Sequence, residues 1–201
     1  MNRTSQIKDK LHNTGLGAFF RTNQLETLGI GYYRLNSLIS DGTIERFSRG
    51  LYRLSEAEPT ERHTLAAACA KAPNSIVCLL SALQVHGIGT RLPKEVWLAI
   101  PHKARPPKIH GIKIRLIRFS GAAWSYGIKN NEFEGVKARI TSPARTIVDC
   151  FRFERLIGRE AAMEALRDAL RQKKVTIDSI YRTLEVLPSR RLIAVLEVME
   201  I

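Results

Sequence analysis

Residues 31–54 read GYYRLNSLISDGTIERFSRGLYRL, a stretch in which the hydrophobic period changes once. From Gly31 to Ile39 a 3.6-residue period places Tyr32, Leu35, Leu38 and Ile39 on one face, the spacing of an amphipathic helix. Gly42 supplies the stop, because a residue without Cβ takes up the left-handed conformation that ends a helix. Beyond it, Thr43 to Phe47 and Leu51 to Leu54 are short β-prone runs around Ser48, Arg49 and Gly50, whose composition suits a hairpin turn. Upstream, Thr22 to Leu28 carries Leu25 and Leu28 on one face, with Thr22 as the expected cap and Gly29 as a turn. A still earlier helix is expected over Asn2 to Asn13, where Ile7 and Leu11 stand four apart and Gly15 and Gly17 follow. Helix, helix, turn, helix and hairpin is the order of a winged helix.

In a helix-turn-helix the second helix of the pair enters the major groove. Tyr33 and Ser37, flanked by Arg34 and Asn36, point away from the apolar face. Arg34 has the geometry to donate two hydrogen bonds to guanine, and Asn36 can pair with adenine. Arg46, Ser48 and Arg49 on the hairpin suit flanking phosphate or a minor groove. The competing reading is a small protein-contact domain with a solvated polar face.

The loop Ser55 to Thr60, SEAEPT, holds two glutamates and a proline and has the composition of a linker. It sets expected domains of residues 1–57 and 58–201. In the second, Glu61 to Lys71 and Leu80 to His86 predict helices, while Val96 to Ile100, Ile112 to Phe119 and Val136 to Ile140 predict strands. Ser142 to Phe153 predicts a helix capped by Ser142 with Pro143 at its first position. Gly158 to Lys173, Asp178 to Leu187 and Arg190 to Met199 continue as helices. The fold class is therefore α+β: an N-terminal winged helix-turn-helix followed by a mixed α/β domain ending in helices.

Charge narrows the partners. The chain has 201 residues and a formal charge of +13, which calls for a polyanion, an anionic membrane surface or an acidic protein. Arg91, Lys94, Lys103, Arg105, Lys108, Lys113, Arg115 and Arg118 face only Glu95 between residues 91 and 118, whereas residues 158–201 are nearly balanced. Lys113 and Arg115 fit a binding role or equally the wet face of an antiparallel strand, and Arg105 to Lys108 has the look of an exposed rigid loop. No run of about 18 apolar residues predicts a membrane helix, and the start lacks the apolar core of a secretory signal, so a soluble cytoplasmic protein is expected. Cys69, Cys78 and Cys150 lack a C-x-x-C spacing and are read as reduced core thiols. Phosphate-loop, dinucleotide, H-E-x-x-H and G-x-S-x-G motifs are missing, and the five histidines are not spaced as helical ligand pairs. No cofactor or metal is expected, and an enzyme would need an active site of unfamiliar pattern.

The string Ser142 to Asp149 is the most distinctive of the second domain. On a helix Arg145 and Asp149 stand four apart and can pair, while Ile147 and Val148 face a core. Cap plus intrahelical pair is the preferred reading, with a direct functional contact of Arg145 as the alternative.

The run Leu38, Gly42, Ile44, Arg46, then Arg49, Gly50, Leu51 and Tyr52, resembles the winged-helix start of the AbiEi-type antitoxins, the antitoxin half of type IV toxin-antitoxin and phage-defence systems. Ser81-Ala82-Leu83 followed by His86-Gly87, the strand Val96 to Ile100 ending at Pro101, and Ser142-Pro143 followed by Arg145-Thr146 and Asp149 resemble the family's second domain in the same order. The resemblance implies a winged helix that represses its own operon and a C-terminal antitoxin domain that counteracts a nucleotidyltransferase toxin, without requiring a stable complex with it. Operator DNA and that toxin are the implied partners. Tyr33, Arg34, Asn36, Ser37, Arg46, Ser48 and Arg49 are then the candidate DNA contacts, and Lys103, Arg105, Lys108, Lys113, Arg115 and Arg145 the candidate functional surface of the second domain. A stand-alone winged-helix regulator whose second domain senses a ligand or partner is the alternative.

Overall fold

Leu25, Leu35 and Leu38, picked out by period alone, are all buried, and they share one small core with Phe20, Ile30, Ile44, Tyr52 and Leu54. The computed structural model describes residues 19–48, 50–56 and 60–199, with Ser48 described by its backbone alone. The helix expected over Asn2 to Asn13 lies outside these residues. The elements around the small core are β1 (Phe19–Arg21), α1 (Thr22–Thr27), α2 (Tyr32–Ser40), β2 (Ile44–Ser48) and β3 (Leu51–Leu54). The strands form an antiparallel sheet in the order β1-β3-β2, with Phe20 opposite Tyr52 and Ile44 opposite Leu54. This is a winged helix.

Two local expectations are corrected. Helix α1 is capped by Arg21, not Thr22, and the Arg21 N–H donates to the Gln24 side chain at 2.7 Å. Tyr32 is 71% exposed, not part of the core face. Side chains of a first helical turn lean back toward the N-terminus, and two residues upstream it is Ile30 that enters the core, 3% exposed. Strand β1 escaped the sequence reading because three residues cannot display a period.

After the winged helix comes α3 (His63–Lys71), and then the second group of elements. These are β4 (Ile76–Val77), α4 (Leu79–His86), β5 (Val96–Pro101), β6 (Ile114–Phe119), α5 (Ala122–Ser125), β7 (Ile128–Phe133), β8 (Val136–Thr141), α6 (Pro143–Arg152), α7 (Glu154–Ile157), α8 (Arg159–Arg171), α9 (Ile177–Val186) and α10 (Arg190–Val198). Their sheet runs β6-β5-β4-β8-β7. Strand β4 is antiparallel to β5 and parallel to β8, and β5 is parallel to β6. Residues 112–119 are therefore not an antiparallel strand, and the chain from β5 to β6 must cross over, which Arg105 to Lys108 help it to do.

By packing, the chain divides into one unit of Met1–Pro73 with Glu132–Lys137 and another of Asn74–Asn131 with Ala138–Ile201. The boundary expected at 57/58 assigns α3 to the second domain, whereas here α3 goes with the first unit. Its His63 stacks on Phe19 at 5.3 Å, and Lys71 lies over the Phe47 ring at 4.8 Å. The turn Glu134-Gly135 between β7 and β8, with φ of +50° and +84°, has the signature of a tight two-residue hairpin. The Glu134 carbonyl accepts from the Phe19 N–H at 2.9 Å. Its carboxylate accepts from the Thr60 backbone at 3.0 Å, from the Thr60 hydroxyl, and from His63 Nδ1 at 2.9 Å. Arg53 Nη1 donates to the other ring nitrogen of His63 at 3.1 Å.

In the second unit α6 packs against α4, α8, α9 and α10. A helix enclosed on all sides should be apolar all round, yet Arg145 and Asp149 are both 0% exposed on it. Arg145 is thus not a surface residue. Its Nε donates to Asp149 at 2.8 Å, Nη1 to the Tyr126 carbonyl at 2.6 Å and Nη2 to the Ala123 carbonyl at 2.9 Å. Arg152 Nη1 donates to the other Asp149 oxygen at 3.0 Å. Burial pushes the Asp149 carboxyl above its ordinary value, against the pull of Arg145 and Arg152. Gly127, at φ +65°, passes so close that a Cβ there would lie 2.9 Å from Arg145 Cβ. Ser142 stands at the N-cap and Pro143 at the first position as expected, although the Ser142 side chain makes no cap hydrogen bond.

Helix α4 ends at Gly87 with φ +61°, and His86 Nε2 donates to the Thr141 carbonyl at 2.7 Å. Burial lowers the His86 pKa from 6.5; the Thr141 carbonyl opposes this, and Lys129 and Lys174 add to it. A depressed folded value means that the contribution is present above the unfolded pKa and lost as pH falls through the folded one. The Tm of the protein is expected to fall from about pH 7 to about pH 5, more steeply than that of His86→Gln. Parallel Tm profiles for the two proteins would remove His86 as the cause. The three cysteines are buried, and burial pushes the Cys69 thiol up to about 12 and those of Cys78 and Cys150 upward as well.

Candidate nucleic-acid interface

The geometry of α2 follows from three backbone devices. Gly29, at φ +74°, lets the chain turn after α1, the Ile30 N–H returns to the Leu25 carbonyl at 2.9 Å, and the Leu35 N–H bonds the Gly31 carbonyl at 3.0 Å. Leu35 and Leu38 then anchor α2 from below. What remains above is Tyr33, 90% exposed, with Arg34, Asn36 and Ser37, all open to solvent. Tyr32 joins them, its ring edge-on to that of Tyr33 at 6.0 Å. The structure therefore brings the four candidate residues of this helix onto one outer surface and adds a fifth that period alone had assigned to the core.

On the hairpin, Arg46 is exposed, and among the described residues neither Arg34 nor Arg46 has a carboxylate partner. Arg53 is instead held by Glu45 at 3.0 Å. Arg49 and the Ser48 side chain lie outside the described residues. The pairing shifts register between Arg46 and Ser48, a bulge that increases strand twist next to the hairpin turn of the wing. Guanidinium, amide, hydroxyl and phenol groups on a half-exposed helix can hydrogen-bond base edges and phosphates.

The second-unit candidates separate by what holds them. Lys103, Arg105 and Lys108 are exposed on the crossing between β5 and β6, and Lys113 is exposed just before β6. Arg118 fastens the start of this crossing by donating to the carbonyls of Pro101, His102 and Ala104. Arg115 is paired with Glu95 and lies over the Trp97 ring at 5.2 Å, so its charge is largely engaged. Arg145 is buried, as described above. Among the described residues no group of three or more His, Cys, Asp or Glu side chains is placed to hold a metal ion, and no helix is long and apolar enough to cross a membrane. The sequence reading missed the Glu134, His63 and Arg53 chain, whose members are far apart in sequence and share no spacing.

Residues 16–55 match the family described as "Transcriptional regulator, AbiEi antitoxin", which upholds the resemblance drawn from Leu38 to Tyr52. The crystal structure of the RV2827C protein from Mycobacterium tuberculosis is similar with a TM-score of 0.50 at 16% identity, over 90% of this chain and 71% of that one. That likeness concerns the fold. The search of curated proteins gave no match.

Proposed function

We propose that the protein is a DNA-binding antitoxin and transcriptional autorepressor of a type IV toxin-antitoxin operon, with a phage-defence role, that counteracts a nucleotidyltransferase toxin and has no catalytic activity of its own. The observation that carries it is the outer surface of α2, where Tyr33, Arg34, Asn36 and Ser37 stand together inside the residues matched by the antitoxin-regulator family. Operator DNA is the direct partner, read by α2, with Arg46, Ser48 and Arg49 holding phosphate. The toxin is a functional partner. The family match ends at residue 55, so the antitoxin part of the reading rests on the order of motifs in the second unit.

Electrophoretic mobility shift with the duplex upstream of the gene tests the first part. Binding should weaken steeply with salt through counterion release. Arg34→Ala should reduce discrimination between operator and scrambled duplex by about 1–3 kcal/mol, because it removes a base contact and leaves phosphate contacts in place. Equal weakening on both duplexes would make Arg34 a phosphate contact instead.

The second part is tested by co-expression with the neighbouring toxin gene in a growth assay. Lys103, Arg105 and Lys108 share one exposed crossing, so reversing all three to glutamate is expected to impair rescue while autorepression stays intact. Normal rescue by the well-folded triple variant would make the crossing a solvated loop. The alternative reading, a regulator whose second unit senses a ligand, is favoured by the cleft described next.

A further inference from the structure

Four arginines from two separate segments of the second unit converge on one cleft of about 440 Å³. Arg152 closes α6 and Arg155 lies on α7, while Arg190 and Arg191 open α10, which packs on α6. Phe151 and Pro188 complete the apolar part of the wall. The Ser189 Oγ accepts from the Leu192 N–H at 3.4 Å, and the charged donors lining the cleft are the four guanidinium groups.

General basicity does not account for this grouping. Residues 158–201 are almost charge-balanced; in these helices Arg171 pairs with Asp168 and Arg182 with Asp178, while Arg159 and Arg167 have no carboxylate partner among the described residues and stand on α8, away from the cleft. In the cleft only Arg152 has such a partner, Asp149, whose second oxygen is taken by Arg145. Arg155, Arg190 and Arg191 are exposed and have no carboxylate partner among the described residues. Gathering four like charges around one concavity disfavours the empty state and favours an anion within it.

We propose that this cleft binds a compact chain of phosphates, as carried by a nucleoside triphosphate or by inorganic polyphosphate. Guanidinium forks match phosphate oxygens in pairs and keep their charge at any physiological pH. The volume falls within the range of small-molecule sites, about 300–1,000 Å³. A nucleic-acid backbone carries a single charge on each phosphate and spreads its charges along a track. Here the cations instead line one shallow, open concavity, which fits several charges on adjacent phosphates. The inference concerns the second unit alone and stands whether or not the first unit reads an operator.

Isothermal titration of the full-length protein in moderate salt tests it, with sodium tripolyphosphate, ATP, a short single-stranded RNA and a short duplex DNA as separate ligands. Tripolyphosphate is expected to bind with one site per chain, and the ATP arm decides whether a nucleoside can accompany the phosphates. The double variant Arg190→Gln with Arg191→Gln, and separately Arg155→Gln on the other segment, should each raise the tripolyphosphate Kd at least about tenfold. Arg182→Gln, which removes the same charge outside the cleft, should leave it unchanged. All four substituted arginines are exposed, and thermal melts would confirm that the variants keep the fold. Absence of tripolyphosphate binding at millimolar concentration, an equal loss in Arg182→Gln, or binding confined to the oligonucleotides would each overturn the proposal.

Discussion

Asp149→Ala is expected to destabilise the second unit by about 3–5 kcal/mol, the penalty for stranding a buried charge whose partner is removed. The Arg145 guanidinium would stay fully enclosed on α6 with two backbone carbonyls and no counter-charge. Among the described residues it also has the Phe119 ring at 5.0 Å, which cannot replace a carboxylate. Urea unfolding followed by circular dichroism measures the loss. A second variant separates charge from packing. Arg145→Met combined with Asp149→Leu removes both charges and keeps apolar volume, and it should be far less damaging than the single change. A single variant within about 1 kcal/mol of wild type would show that water reaches the pair.

Leu35→Ala carries the other large effect, about 2–5 kcal/mol, because truncating a buried leucine loses transfer energy and leaves a cavity. The core it belongs to is small, so this loss is a large fraction of the stability available to a unit of that size. Operator binding should disappear at the growth temperature. Limited proteolysis should cut within residues 19–56 while the helices from α6 onward stay protected. Retained operator binding with an unchanged digestion pattern would show that α2 is held chiefly by something other than Leu35.

The sequence was legible where one period ran for several turns. Leu25 declared the inner face of α1, Leu35 and Leu38 that of α2, and Arg145 with Asp149 declared their pairing. Gly42 marked a helix end where φ is positive. Short elements were not legible. Phe19–Arg21 and Ile76–Val77 hold too few residues for alternation, and β7 reads IKNNEF, a polar run whose strand state comes from its place beside β8. Burial of a charged pair was also hidden, since an i,i+4 Arg–Asp spacing looks the same on a wet helix as on an enclosed one. The exposed face of α2 was the part of the candidate site that could be read. The arginine cleft joins residues 152–155 to residues 190–191, and only the packing of α10 on α6 brings them together.

The hairpin tip Glu132–Lys137 returns to the unit that begins the chain, and this makes the winged-helix unit a discontinuous heirloom. A recombination event with a single crossover anywhere between α3 and β7 would hand on the winged helix and leave behind the carboxylate that receives Thr60 and His63. A chimera that exchanges the winged-helix unit would therefore have to transplant two pieces of sequence, the leading residues through Pro73 and this six-residue loop-and-strand segment, as one inheritance.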